Sequence, residues 1–158
     1  LSQVDGKAFN LTKFRVQVQV TFLAPIDGNT TAAFDIQLAQ PANAITGYDF
    51  ELYPDSTLFN GPAWAIEHIR EGGKNDDKTG IDSGDHLTFV QSNVLTMATI
   101  AIVVQDNVFI CYVNGMEVGS HPLSSSLSAF GLMVARQHVG GYSPSPVQLT
   151  QFELDVPA

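Results

Sequence analysis

The sequence predicts an all-β sandwich built from two antiparallel sheets, and three features carry the prediction. Several segments alternate apolar and polar residues with period two, tight-turn dipeptides separate β-branched runs, and no segment sustains a helical period. Strands at short intervals without intervening helices favour packed antiparallel sheets over a parallel α/β arrangement.

Taken in order, Phe14, Val16, Val18, Val20 and Phe22 alternate with Arg15, Gln17, Gln19 and Thr21, so this strand should bury one face and wet the other. Ala32, Phe34, Ile36 and Leu38 repeat the pattern until Gln40-Pro41-Ala42-Asn43 breaks it. Tyr48, Phe50 and Leu52 share the next apolar face, with Glu51 and Tyr53 in the polar alternation, and Trp64 alternates with Ile66.

Residues 100–118 form the most informative segment. Asp106-Asn107 and Asn114-Gly115 supply residues that tolerate the positive φ of two-residue hairpin turns, so the chain should fold back on itself twice as a meander. Both faces of residues 100–104 are apolar, as are Ile110 and Tyr112 opposite Phe109 and Val113, which places this strand pair mid-sheet, covered on both sides or facing a ligand groove. Cys111 shares a face with Phe109 and Val113 and is expected to be a buried, unreactive core residue. Ser120-His121-Pro122 reads as a turn. A small-residue strand over 128–134 follows, and the closing strand should set Phe152, Leu154 and Val156 opposite Gln151, Glu153 and Asp155.

A chain of 158 residues with 44% hydrophobic content can bury a sizeable core without metal or disulfide support, and one domain over residues 1–158 accounts for it. The net charge of −9, from 16 acidic against 7 basic residues, repels phosphate backbones and anionic lipids and argues against a nucleic-acid partner. No apolar run approaches the roughly 20 residues of a spanning helix. No basic segment precedes an apolar run at the N-terminus, so the sequence reads as a mature or excised fragment. A lone cysteine leaves the redox compartment open, while the sequons at Asn10 and Asn29 lean toward an extracellular protein.

The meander with its Val113-Asn114-Gly115 turn, the return strand and the closing Phe152-Glu153-Leu154 resemble the C-terminal half of concanavalin A-like (laminin G-like) jelly-roll domains. Upstream, Tyr48-Asp49-Phe50-Glu51-Leu52-Tyr53-Pro54-Asp55 and Trp64-Ala65-Ile66-Glu67-His68-Ile69-Arg70-Glu71-Gly72-Gly73-Lys74 are similar to the strand, turn, strand, Gly-Gly-Lys pattern of secreted bacterial members. The resemblance covers most of the chain from Phe9 onward. It implies a jelly roll at the cell surface or outside the cell, and a superfamily of lectins, glycosidases and adhesion modules.

The search for chemistry returns mainly negatives. Glycosidases need two carboxylates about 5 to 9.5 Å apart, and the E-x-D-x-x-E pattern of jelly-roll glucanases is missing. Glu67 and Glu71 lie about 13 Å apart along one strand at ~3.3 Å per residue; pairing of Glu51 with Glu67 across strands is the alternative, against a bland reading as solvated acids. No Gly-x-Ser-x-Gly elbow, His-Glu-x-x-His motif or phosphate-binding glycine loop occurs, and His68, His86, His121 and His138 are scattered.

Carbohydrate recognition needs an aromatic platform with polar groups beside it. Tyr53, Trp64 and Tyr112 are the candidate platforms and Glu51 and Glu67 the candidate polar partners, with Arg15, Gln17 and Gln19 on a polar sheet face. The competing reading of Trp64 is a core residue. Residues 75–85 concentrate oxygen donors around glycines, and Asn75, Asp77, Asp82 and Asp85 are candidate Ca2+ ligands. His86 stands where an EF-hand places its bidentate Glu, which disfavours that motif; a flexible acidic loop is the plain alternative. The sequence therefore ranks first a non-catalytic extracellular module that binds carbohydrate, by resemblance. Second is an adhesion or structural subunit that self-associates or binds a protein partner, and third a glycoside hydrolase.

Overall fold

The computed structural model describes residues 3–4, 7–8, 12–23, 26, 31–38, 45–56, 61–70, 74–75, 82–85, 95–123, 127–134 and 147–156. The strands are β1 (Gln3–Val4), β2 (Lys7–Ala8), β3 (Phe14–Phe22), β4 (Ala32–Leu38), β5 (Ile45–Ser56), β6 (Gly61–Arg70), β7 (Lys74–Asn75), β8 (Asp82–Asp85), β9 (Met97–Gln105), β10 (Val108–Val113), β11 (Met116–Pro122), β12 (Leu127–Val134) and β13 (Val147–Asp155). Among the described residues β1 and β2 form a small two-stranded sheet, and the sandwich consists of a five-stranded sheet in the order β11-β10-β9-β3-β13 and a six-stranded sheet with β12-β4-β5-β6-β7 in sequence and β8 also paired to β6. Every pairing is antiparallel. Among the described residues no helix is long and apolar enough to cross a membrane.

Alternation in the sequence becomes burial in the sandwich. Phe14, Val16, Val18, Val20 and Phe22 of β3 point into the core between the sheets, joined by Ile100, Ile102 and Val104 of β9 and by Phe109, Cys111 and Val113 of β10. From the six-stranded sheet they meet Phe34, Tyr48, Phe50, Leu52, Trp64 and Ile66. Burying each such side chain contributes about 1.5–3 kcal/mol. Tyr48 ties the layers together, its ring 5.2 Å from that of Phe109 and 5.1 Å from that of His121.

Both tight turns form as their residues predict. Asp106 and Asn107 have φ of 51° and 60°, Asn114 and Gly115 of 50° and 79°, and each pair closes a two-residue hairpin, β9 to β10 and β10 to β11. The strand over residues 97–105, apolar on both faces, is the middle strand of its sheet.

Two local expectations are corrected. Ser120-His121-Pro122 is strand rather than turn: Phe109 pairs with His121 and Val108 with Pro122 at the end of β11. Pro is tolerated there because, among the described residues, β11 is an edge strand with one neighbour, so its missing N–H breaks no second ladder. In β13 the alternation is interrupted, since Thr150 pairs with Gln19 and Glu153 with Gln17, leaving two residues opposite Val18. Gln151 takes φ 51° at this bulge. Leu149 and Leu154 therefore both reach the core although their parity differs, while Phe152 is turned out and is 50% exposed.

Candidate functional site

The outer face of the five-stranded sheet carries a polar ladder built by the register of β3 and β13. Arg15 pairs with Asp155, Gln17 with Glu153 and Gln19 with Thr150. Arg15 Nη2 donates to Gln17 Oε1, Gln17 Nε2 donates to Glu153 Oε2 at 2.6 Å, and Thr150 Oγ1 donates to Gln19 Oε1 at 3.0 Å. The Arg15 guanidinium also lies 3.7 Å from Asp155 Oδ2. Those two side chains are 41% and 72% exposed, so the pair orients the guanidinium more than it stabilises the fold.

Beside this ladder Ala101 and Val103 of β9 form an apolar floor, and Tyr112 of β10 stands directly across from Ala101. Together with Arg15, Gln17, Thr99 and Gly115 they line a groove of about 300 Å3. The Asn114-Gly115 turn fixes one end: Thr99 N–H donates to Asn114 Oδ1 at 2.8 Å, and Asn114 N–H donates to Thr99 O at 2.7 Å. Floor, aromatic edge, guanidinium, amide and hydroxyl thus converge in one open groove, the groups that pack against sugar C–H faces and hydrogen-bond sugar hydroxyls. Tyr112 was legible in the sequence as a candidate aromatic; its convergence with Arg15 and Gln17 depends on the β3–β9–β10 order, which carries no local signal.

The other outer face is different. Tyr53 is half-buried and its hydroxyl donates to Glu51 Oε2. Glu51 and Asp49 are both 0% exposed, and Ala63 and Ala65 of β6 are buried too, so other parts of the chain cover this face at β5 and β6. The register sets Glu67 opposite Asp49 and Glu51 opposite Ala65, which makes Glu51 and Glu67 diagonal neighbours across two strands. Glu51 nevertheless lies shut away from solvent, which corrects the expectation of an accessible sheet-face acid. Asp49 was missed, because alternation reports which face a residue takes and not whether that face is roofed.

Trp64 is 7% exposed and lies in the core cluster, which corrects its placement as an open platform. An added Cβ on Gly119 would fall 2.7 Å from Trp64 Cη2, so the indole packs against bare β11 backbone. Two of the candidate calcium ligands, Asn75 and Asp85, stand far apart along the sheet. Asn75 stands opposite Ile69, Asp82 opposite Ile66 and Asp85 opposite Ala63. Asn75 and Asp85 are therefore six residues apart along β6, about 20 Å at ~3.3 Å per residue, too far to share an ion. Asp77, Glu71, His86, His138 and the sequon residues Asn10 and Asn29 lie outside the described residues. Cys111 is buried, as its strand face predicts, and burial holds its thiol pKa well above the ordinary value.

No family model and no curated protein matches the chain. Solved structures do match. A tetrameric galectin from the ball sponge Cinachyrella aligns with a TM-score of 0.60 at 12% identity, covering 96% of this chain and 95% of that one. The carbohydrate-binding module CBM66 from Bacillus subtilis aligns with a TM-score of 0.58 at 13% identity, covering 91% of this chain and 75% of that one. Sheep galectin-11, in complex with glycerol, aligns with a TM-score of 0.53 at 12% identity over 93% of this chain and 92% of that one. At these identities the likeness concerns the fold, and the chain has the two-sheet antiparallel jelly-roll sandwich shared by galectins and this carbohydrate-binding module.

Proposed function

We propose that the protein is a non-catalytic carbohydrate-binding module that acts outside the cell, and that it holds its ligand in the groove between Tyr112 and Arg15. The observation that carries the reading is the groove itself, with an apolar floor, one aromatic edge and ladder-held polar groups on an open sheet face. Neighbours named as galectins and as a carbohydrate-binding module support it at the level of fold. The extracellular placement rests on the resemblance to secreted jelly-roll domains and on the two sequons.

A glycan array probed with the wild-type protein, with and without a chelator, tests the proposal. Specific glycans are expected to bind, and Tyr112→Ala and Arg15→Ala to weaken the strongest of them at least about tenfold, or ~1.4 kcal/mol. Tyr53→Ala, on the other sheet, should leave binding unchanged. A blank array would contradict the proposal.

A second reading, docking of a protein partner or a second copy, has its own observation. Val103 of the groove floor and its neighbours Val108 and Ile110 form a partly buried apolar strip. A strictly monomeric mass at high concentration would sink self-association on this strip.

A further inference from the structure

The groove does not end at Arg15. A second depression of about 470 Å3 begins where the first stops, sharing Arg15 and Val103 and continuing to Lys13, Gln105 and Asp155. Arg15 pairs with Val103 across β3 and β9, so the two residues form a threshold between two compartments of a single cleft. Thr99 marks one end and Gln105 the other, six residues along the same strand, about 20 Å at ~3.3 Å per residue. That length exceeds one sugar ring several times and runs parallel to the strands.

The charge of the cleft narrows its ligand. Lys13 and Arg15 are two of only 7 basic residues against 16 acidic ones. Arg15 is already engaged by Gln17 and by Asp155 at 3.7 Å, so of the two cations that line the cleft Lys13 alone is left to meet a carboxylate or sulfate. A net charge of −9 adds a long-range field that opposes anionic chains. The remaining polar groups of the lining, an amide at Gln105 and a hydroxyl at Thr99, suit uncharged hydroxyls.

Resting on the carbohydrate reading above, we propose that the cleft is a two-compartment site for a neutral, linear oligosaccharide lying along β3 and β9. One end of the chain packs beside Tyr112 and over Val103, and the other reaches Gln105 and Lys13, with Arg15 between them. An unbranched chain fits such a site, because the lining residues follow β3 and β9 along their length.

The test is a calorimetric titration of wild type, Gln105→Ala and Tyr112→Ala with a homologous series, from disaccharide to hexasaccharide, of the neutral glycan that binds best on an array. For wild type the affinity should rise at least about tenfold from disaccharide to the longer chains and then level off, with little change between low and high salt. Gln105→Ala should remove most of the gain with length and leave disaccharide affinity unchanged, whereas Tyr112→Ala should weaken every member. Equal affinity for short and long chains, or a length gain that Gln105→Ala leaves intact, overturns the extended cleft while the carbohydrate reading stands. Strong preference for a uronate-containing or sulfated chain, lost in salt, overturns the neutral ligand. Absence of binding by every glycan overturns both readings together.

Discussion

At Gly119 an added Cβ would fall 2.7 and 2.8 Å from two atoms of the Trp64 indole, well inside contact distance. Gly119→Ala must therefore push apart β11 and the ring that packs on it, at a cost of about 1–3 kcal/mol, and urea unfolding should show that loss of stability. Gly119→Ala with unchanged stability would mean that the indole does not sit against this backbone. Cys111 makes a second prediction at the same scale. Burial raises its pKa above the ordinary 9.0, so the unfolded chain releases the thiol proton first as pH rises. Below that value the thiol adds no pH dependence; above it stability should fall, and the fall should be steeper in wild type than in Cys111→Ala. In the native protein a thiol reagent should label Cys111 only as fast as the sandwich opens.

The strands show which signals are local and which are not. The Asp106-Asn107 and Asn114-Gly115 turns were legible because left-handed φ is a property of the turn residues themselves. The bulge in β13 was not, because Gln151 has no intrinsic preference for φ 51° and is held there by ladder pairs on either side, Thr150 with Gln19 and Glu153 with Gln17. A left-handed conformation costs an ordinary L-residue about 1–2 kcal/mol, less for Asn. Gln151→Asn should therefore stabilise the fold by roughly 0.5 kcal/mol, measured as a raised midpoint in thermal unfolding. A destabilised Gln151→Asn would show that the Gln side chain supports the bulge. At β5, Glu51 and Tyr53 were correctly placed in polar alternation, but alternation does not report that Glu51 is buried on that face. Tyr53 is thereby tied to a buried carboxylate, while Tyr112, with the same residue chemistry, borders an open groove.

For the whole molecule, the division of labour between the sheets follows from these placements. The six-stranded sheet closes its β5–β6 face over Asp49 and Glu51, and the five-stranded sheet leaves the β3–β9–β10 face open with its floor, ladder and aromatic edge. The sandwich class was readable from alternation and turn chemistry because both depend on sequence neighbours. The groove-bearing face was not, because strand order β10-β9-β3-β13 joins residues from distant parts of the chain. Backbone amide NMR, recorded while the tightest-binding glycan is titrated in, separates the two faces most directly. The account predicts that the largest shifts fall on Arg15, Gln17, Thr99, Ala101, Tyr112 and Gly115. Shifts confined to Glu51, Tyr53, Ala63 and Ala65 would contradict it and move recognition to the six-stranded sheet.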